Sequence, residues 1–273
     1  MNRAAIRLHL LLLVLIVLIP LPCLAIQADT IPPPDQHLNE PKPTTILVRV
    51  VAHGSMVLGK DVGGARVTIT DVASGQMLAS GLQQGDAGDQ NQIMRTPRLM
   101  GEPLYSLRAS AAFTTTLELT HPMLVDIAAE GPLAYPASAQ LVTTRTWLIP
   151  GQDMTHDGIV LTLYGYIVRI EHPQSGEPLI AKDDVMLRAS IRTLSGALVK
   201  PHGDWDSRKV HIYGELLIGD NAGFEAPFYV PPLKDAPNGI TLRVVAADPA
   251  SGNLSLGQAT FPVLSERLPE KTR

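Results

Sequence analysis

Three shortages narrow the possibilities before any motif is read. Cysteine occurs once in 273 residues, as Cys23, which excludes a disulfide scaffold, a zinc ribbon and an iron–sulfur centre. Basic residues are outnumbered, 22 against 26 acids, for a net charge of −4. A chain that binds nucleic acid electrostatically needs the opposite sign to neutralise phosphates. Aromatic residues make up only 4%. No window holds the i, i+3, i+4, i+7 spacing of an amphipathic helix for long. After residue 25, no run is long and apolar enough to span a bilayer. What remains is 45% hydrophobic residues with a mean hydropathy of +0.12, enough to fill packed cores. Glycine (22) and proline (23) are too frequent for a helical bundle. The length is about twice that of a common domain, so two domains are expected.

The first 25 residues read as a signal peptide. Arg3 and Arg7 precede an apolar run from Leu8 to Leu21, and Pro20 and Pro22 break it. Cys23-Leu24-Ala25 then supplies small residues at the −3 and −1 positions of a cleavage site. Cleavage after Ala28, an uncleaved anchor and lipidation at Cys23 are the alternatives. Processing takes away two arginines and no acid, and leaves no cysteine. An exported β-protein that forgoes disulfides where oxidation permits them points to a bacterial envelope, periplasmic or secreted. Residues 26–43 are a proline-rich linker, since five prolines between Asp29 and Pro43 forbid a helix and favour extended chain.

Order is expected from residue 44. Ile46, Val48 and Val50 alternate with Leu47, Arg49 and Val51, and Ala65, Val67 and Ile69 repeat the device. Further strands are expected at 105–109, 113–119, 123–129 and 139–148, with an exposed loop over 85–97. Pro150 to Gly158 holds turn formers only. A second run follows at 159–170, 184–192, 210–217, 226–230, 240–247 and 258–263. Strict alternation, as in Ile240, Leu242, Val244 and Ala246, marks antiparallel sheets with one face on a core. The expected fold is all-β: two antiparallel β-sandwich domains in tandem, over 44–150 and 158–266, with a hinge at 151–157 and a polar tail at 267–273.

Two stretches resemble known families. Val48-Arg-Val50, Gly63-Gly64-Ala65-Arg-Val67-Thr-Ile69, Asp71, Gly75 and Ala79-Ser-Gly81 resemble a transthyretin-like or carboxypeptidase-regulatory-like module over residues 45–82. Residues 158–264 resemble a bacterial Ig-like domain, through Val185–Ile191, the turn Lys200–Asp206, and Val244–Asp248 with Ser251-Gly-Asn253. Both resemblances imply a fold and no catalytic residue, because such modules bind, adhere or space other domains.

Catalytic motifs are missing. There is no Gly-x-Ser-x-Gly elbow, no phosphate-binding glycine loop and no His-Glu-x-x-His. The acid pairs Asp183-Asp184 and Asp204/Asp206 sit beside turns, where aspartate is a common turn former. No enzyme is expected. Histidine and methionine recur together in His53-Gly-Ser-Met56, His121-Pro-Met123 and Met154-Thr-His156. Imidazole and thioether are copper ligands, so His121, Met123, Met154 and His156 form a candidate copper site, set against methionine as a core filler. Asp153 and Asp157 flank the hinge, where carboxylates between β-domains can hold calcium. Trp205 is a candidate partner-binding aromatic or a lid over one end of a sandwich. Trp147 is expected in the core or on a sheet face, and Phe224 and Phe228 in the second core. The expected function is a non-catalytic binding or protein-interaction module with another envelope protein as partner. A copper-handling protein and an enzyme with an unrecognised site are the alternatives.

Overall fold

Seven strands of alternating burial build the first half: β1 (Lys42–Ala52), β2 (Ala65–Asp71), β3 (Met77–Gln83), β4 (Phe113–Leu119), β5 (Met123–Gly131), β6 (Gln140–Leu148) and β7 (Met154–Leu163). The computed structural model describes residues 40–97, 99–105, 110–218, 221–223 and 228–265. The signal peptide, most of the proline-rich linker, residues 106–109 of the strand expected at 105–109, Phe224 and the polar tail lie outside the described residues. Strands β4-β1-β7 form one sheet and β3-β2-β5-β6 the other. Ile46, Val48 and Val50 of β1 meet Val67 and Ile69 of β2 and Val125 and Ile127 of β5, all buried in one core.

β1 buries both faces beyond Val48. Its outer Val51 packs with Val57 and Ala111 beneath Ile93 and Tyr105. The segment expected as an exposed loop is therefore partly a cover: it carries a short helix, α1 (Gln90–Met94), whose N-terminus is capped by the Asp89 carboxylate accepting from Gln92 N–H at 3.0 Å.

The later chain is more fragmented. It contains β8 (Tyr166–His172), β9 (Leu179–Ile180), β10 (Asp184–Val185), β11 (Arg188–Thr193), β12 (His211–Ile218), β13 (Asn221–Gly223), β14 (Phe228–Tyr229), β15 (Ile240–Asp248), β16 (Asn253–Phe261) and β17 (Val263–Leu264). The sheet β13-β12-β15-β16 packs on the β8–β11 pair, with β9–β17 and β10–β14 as short ladders. Tyr166, Val168 and Ile191 meet Val244 and Ala246 in one cluster, and Ile240, Leu242, Phe228 and Phe261 form a second. Small residues on β16 let β8 approach closely: a Cβ on Gly257 would sit 2.7 Å from the Val168 carbonyl oxygen.

The second part of the segment expected as a hinge lies in a strand. From Met154 the chain is already in β7, which pairs parallel to β1. The turn formers at 150–153 carry the chain from one sheet to the other. Gly158 (φ 68°) and His156 (φ 61°) shape a bulge between the Ile46–Met154 and Val48–Ile159 pairs. The chain leaves the first sandwich instead at Tyr164-Gly165, inside what reads as one strand over 159–170. Gly165 has φ 130°, and a Cβ there would lie 2.6 Å from Ser255 Oγ, so only glycine fits.

Candidate functional site

A cluster of polar groups lies where the two halves meet. β1 ends at Ala52, and the turn His53-Gly54-Ser55 reaches towards the later strands. Ser55 Oγ lies 3.1 Å from Thr193 Oγ1 and 2.7 Å from Ser195 Oγ. Trp205 Nε1 donates to the Gly54 carbonyl at 3.0 Å, and Asn253 Nδ2 to the His53 carbonyl at 3.3 Å. Asn253 and Ser255 side chains in turn accept from Gly165 N–H and Tyr166 N–H at 2.9 and 2.8 Å. The His53 ring stacks on Tyr164 with centroids 4.2 Å apart, and its Nδ1 is buried without a protein partner. Apolar contact continues beneath this layer, where Ile167 and Leu194 of the later chain are buried in the first core.

Two clefts flank Trp205. The smaller, about 120 Å³, is bordered by His53, Tyr166, Asp206, Asp248 and Asn253. The larger, about 490 Å³, lies against Met56, Tyr135, Arg192 and Ser195. The carboxylates here are committed to structural bonds. Asp204 accepts from Gln90 Nε2 at 2.8 Å and pairs with Arg95. Asp206 pairs with Arg208 and accepts from its backbone N–H at 3.0 Å. These bonds favour the ionised form and hold both acids below the usual carboxylate range. Asp248 closes its own turn, accepting from Ala250 N–H and Ser251 Oγ at 3.1 and 2.7 Å. Burial, reinforced by the charge of Asp248, pushes the Tyr166 hydroxyl up. Such groups fix a junction.

The residues singled out from the sequence are placed as follows. His121 stands exposed in the turn before β5, its Nδ1 3.0 Å from Thr120 Oγ1. Met123 and Met154 pack against the first core. His156 is exposed in the β7 bulge, and its carbonyl accepts from the Arg49 guanidinium at 2.5 Å. In both pairs the thioether points inward and the imidazole outward, because a turn and a bulge break the face-sharing of a regular strand. Among the described residues no group of three or more histidines, cysteines or acids gathers as a metal site. Asp153 and Asp157 are spent on backbone amides: Asp153 accepts from Thr45 N–H at 2.7 Å, Asp157 from Leu104 and Tyr105 N–H at 2.6 and 2.8 Å. Trp205 is half-buried and donates to the Gly54 carbonyl of the other half. Trp147 lies on a sheet face but is exposed, while Phe228 is buried in the second half.

Two further polar residues are buried in the first half. Gln83, only 1% exposed, accepts from Val50 N–H at 2.6 Å and donates to the Val50 and Leu58 carbonyls at 2.9 Å. Arg49 is buried, donates to Ser110 Oγ at 3.1 Å, and has its pKa drawn down by burial against the opposing charge of Asp157. Arg49 carried a signal, a lone cation amid valines; Gln83 carried none.

No protein-family model matches this chain, and no curated protein matches it. Among solved structures, it is similar to a chimeric titin Z1Z2-Z1Z2 tandem functionalised with a GRGDS peptide from fibronectin. The identity is 12% and the TM-score 0.21, over 82% of this chain and 99% of that one. The strand pairing itself defines the class: this is an all-β protein of β-sandwich architecture.

Proposed function

We propose that this chain is an exported, non-catalytic interaction module of a bacterial cell envelope, with a transthyretin-like first unit and an Ig-like second unit, and that it docks another envelope protein. The observation that carries the reading is the outer face of the β12–β15–β16 sheet. A solvent-facing antiparallel sheet is ordinarily polar. Here neighbouring rungs carry Tyr213, Val245 and Leu256, then Ala247 and Leu254. Tyr213, Leu254 and Leu256 are all exposed, Leu254 at 63%. Apolar side chains clustered on one face support a docking role. The junction supports it too, because its hydrogen bonds tie the later half, which carries the face, to the first half.

The test is a photo-crosslinking residue in place of Tyr213 in the full chain, expressed in its envelope. A discrete protein adduct that disappears when Leu254→Lys and Leu256→Lys are added is expected. No adduct, or one indifferent to the two lysines, would discard the reading.

A further inference from the structure

Sheet edges expose unpaired N–H and C=O groups, and proteins ordinarily guard them with bulges, glycines, prolines or free charges. Most long edges here are guarded. β7 carries the bulge at 155–158, β3 has a register shift and Gly81, β4 presents Glu118 and β16 holds Gly257 at its centre. β6 has none of these. All nine of its residues pair with β5 without a register shift, and among the described residues no strand pairs with its other side. Its one charge is already matched: Arg145 grips the Asp126 carboxylate of β5 through two bonds, at 2.7 and 2.8 Å. Its outward row also ends in large apolar groups, Leu141 at 71% exposure and Trp147 at 56%.

We propose that β6 seats a second copy of this chain, added antiparallel about a twofold axis through Thr144. The residues themselves select this register. With Thr144 opposite Thr144, Leu141 faces Trp147 of the second copy and Thr143 faces Arg145, so both ends of the pairing become apolar–aromatic rungs. Moving the axis to Arg145 sets two guanidiniums opposite each other. Moving it to Thr143 sets Leu141 against Arg145. Only the Thr144 register joins the apolar ends and separates the cations. It merges the two β3-β2-β5-β6 sheets into one continuous sheet across the axis. Space allows it as well. The turn at 136–138, just before β6, packs against β16 and β8, so the later half lies beyond the Gln140 end, and antiparallel addition sends the two later halves to opposite ends.

This dimer uses an edge of the first half and does not depend on the docking face proposed above. Sedimentation of the purified full chain over a concentration series tests it. The chain is expected to shift from one to two copies as concentration rises. Leu141→Lys with Trp147→Lys places lysine opposite lysine in both end rungs and should leave a monomer at every concentration, with little change in melting temperature, since both side chains are exposed. Leu141→Glu with Trp147→Lys places glutamate opposite lysine and should restore the dimer. A wild-type chain that stays monomeric, a dimer that survives the two lysines, or a Glu/Lys variant that fails to reassociate would each overturn the proposal.

Discussion

In the first half, β1 runs eleven residues and β5 and β6 nine each; in the second, β9, β10, β14 and β17 are two residues long. Backbone groups must find partners in either case. The first half finds them in long ladders, and the longest of these ends in the open edge of β6. The second half finds many of them in loops and side chains, such as Asn253 and Ser255 accepting from Gly165 and Tyr166. Regularity thus gives a single large core at the cost of a vulnerable edge, and fragmentation divides the core while leaving fewer long edges. The halves then lean on each other. Leu194 and Ile167 complete the first core, while the His53–Ser55 turn anchors the later loops.

The sharpest way to break this comparison is through Gln83. It bonds three backbone groups where β3 meets β1. The Val50 carbonyl also accepts from Leu58 N–H, so leucine would strand two of them, Val50 N–H and the Leu58 carbonyl, inside the core. An unsatisfied buried group costs roughly 1–3 kcal/mol, so Gln83→Leu should destabilise the chain by about 4 kcal/mol, read as a drop in urea midpoint. If the chain loses less than about 1 kcal/mol, the first half does not depend on this amide.

A smaller effect tests whether the halves share their stability. Leu194 is fully buried, yet it reaches the first core from the second half. Leu194→Ala should cost about 3 kcal/mol. Because the side chain belongs to both halves, fluorescence of Trp147 in the first and Trp205 in the second should report one shared, shifted transition. Two separate transitions, with only one moved by the substitution, would show that the halves unfold independently.

Much of this architecture was readable from alternation. Ile46, Val48 and Val50 lie in the first core, and Ile240, Leu242, Val244 and Ala246 face the second half's cores as the pattern requires. Alternation reports which face is apolar, and it says little about where a strand stops or what lies over its other face. The pattern does not reveal that Val51 is buried, because the cover over it, Ile93 and Tyr105, comes from a segment without periodicity. Ile159 to Ile170 reads as one strand because a single glycine, Gly165, carries the break. The junction was less legible still. Its bonds join residues as far apart as His53 and Asn253, and although His53, Asp204, Trp205 and Asn253 each stand out in the sequence, nothing in their spacing says that they meet.

The weakest expected effect concerns charge across the junction. Asp204, in the later half, is held below its usual pKa by Arg95 and Gln90 of the α1 region, with Lys200 adding a smaller pull. A carboxylate depressed in the folded state contributes stability that is fully present above its unfolded value, about 4. That contribution is lost as pH falls through the lower folded value. Asp204→Asn should therefore lower the melting temperature slightly and uniformly above pH 5, and the gap to wild type should shrink as pH falls below the unfolded value and close once the folded carboxylate is protonated. Salt should narrow the gap too, because the pair is exposed. Asp126→Asn supplies the contrast. Its partner Arg145 lies on the adjacent strand of the same sheet, so its loss should leave the junction intact. Protease sensitivity of the 84–105 segment separates the two, because only Asp204→Asn unfastens that segment from the later half. Equal sensitivity in both variants would show that the ion pair at Asp204 does not hold the two halves together.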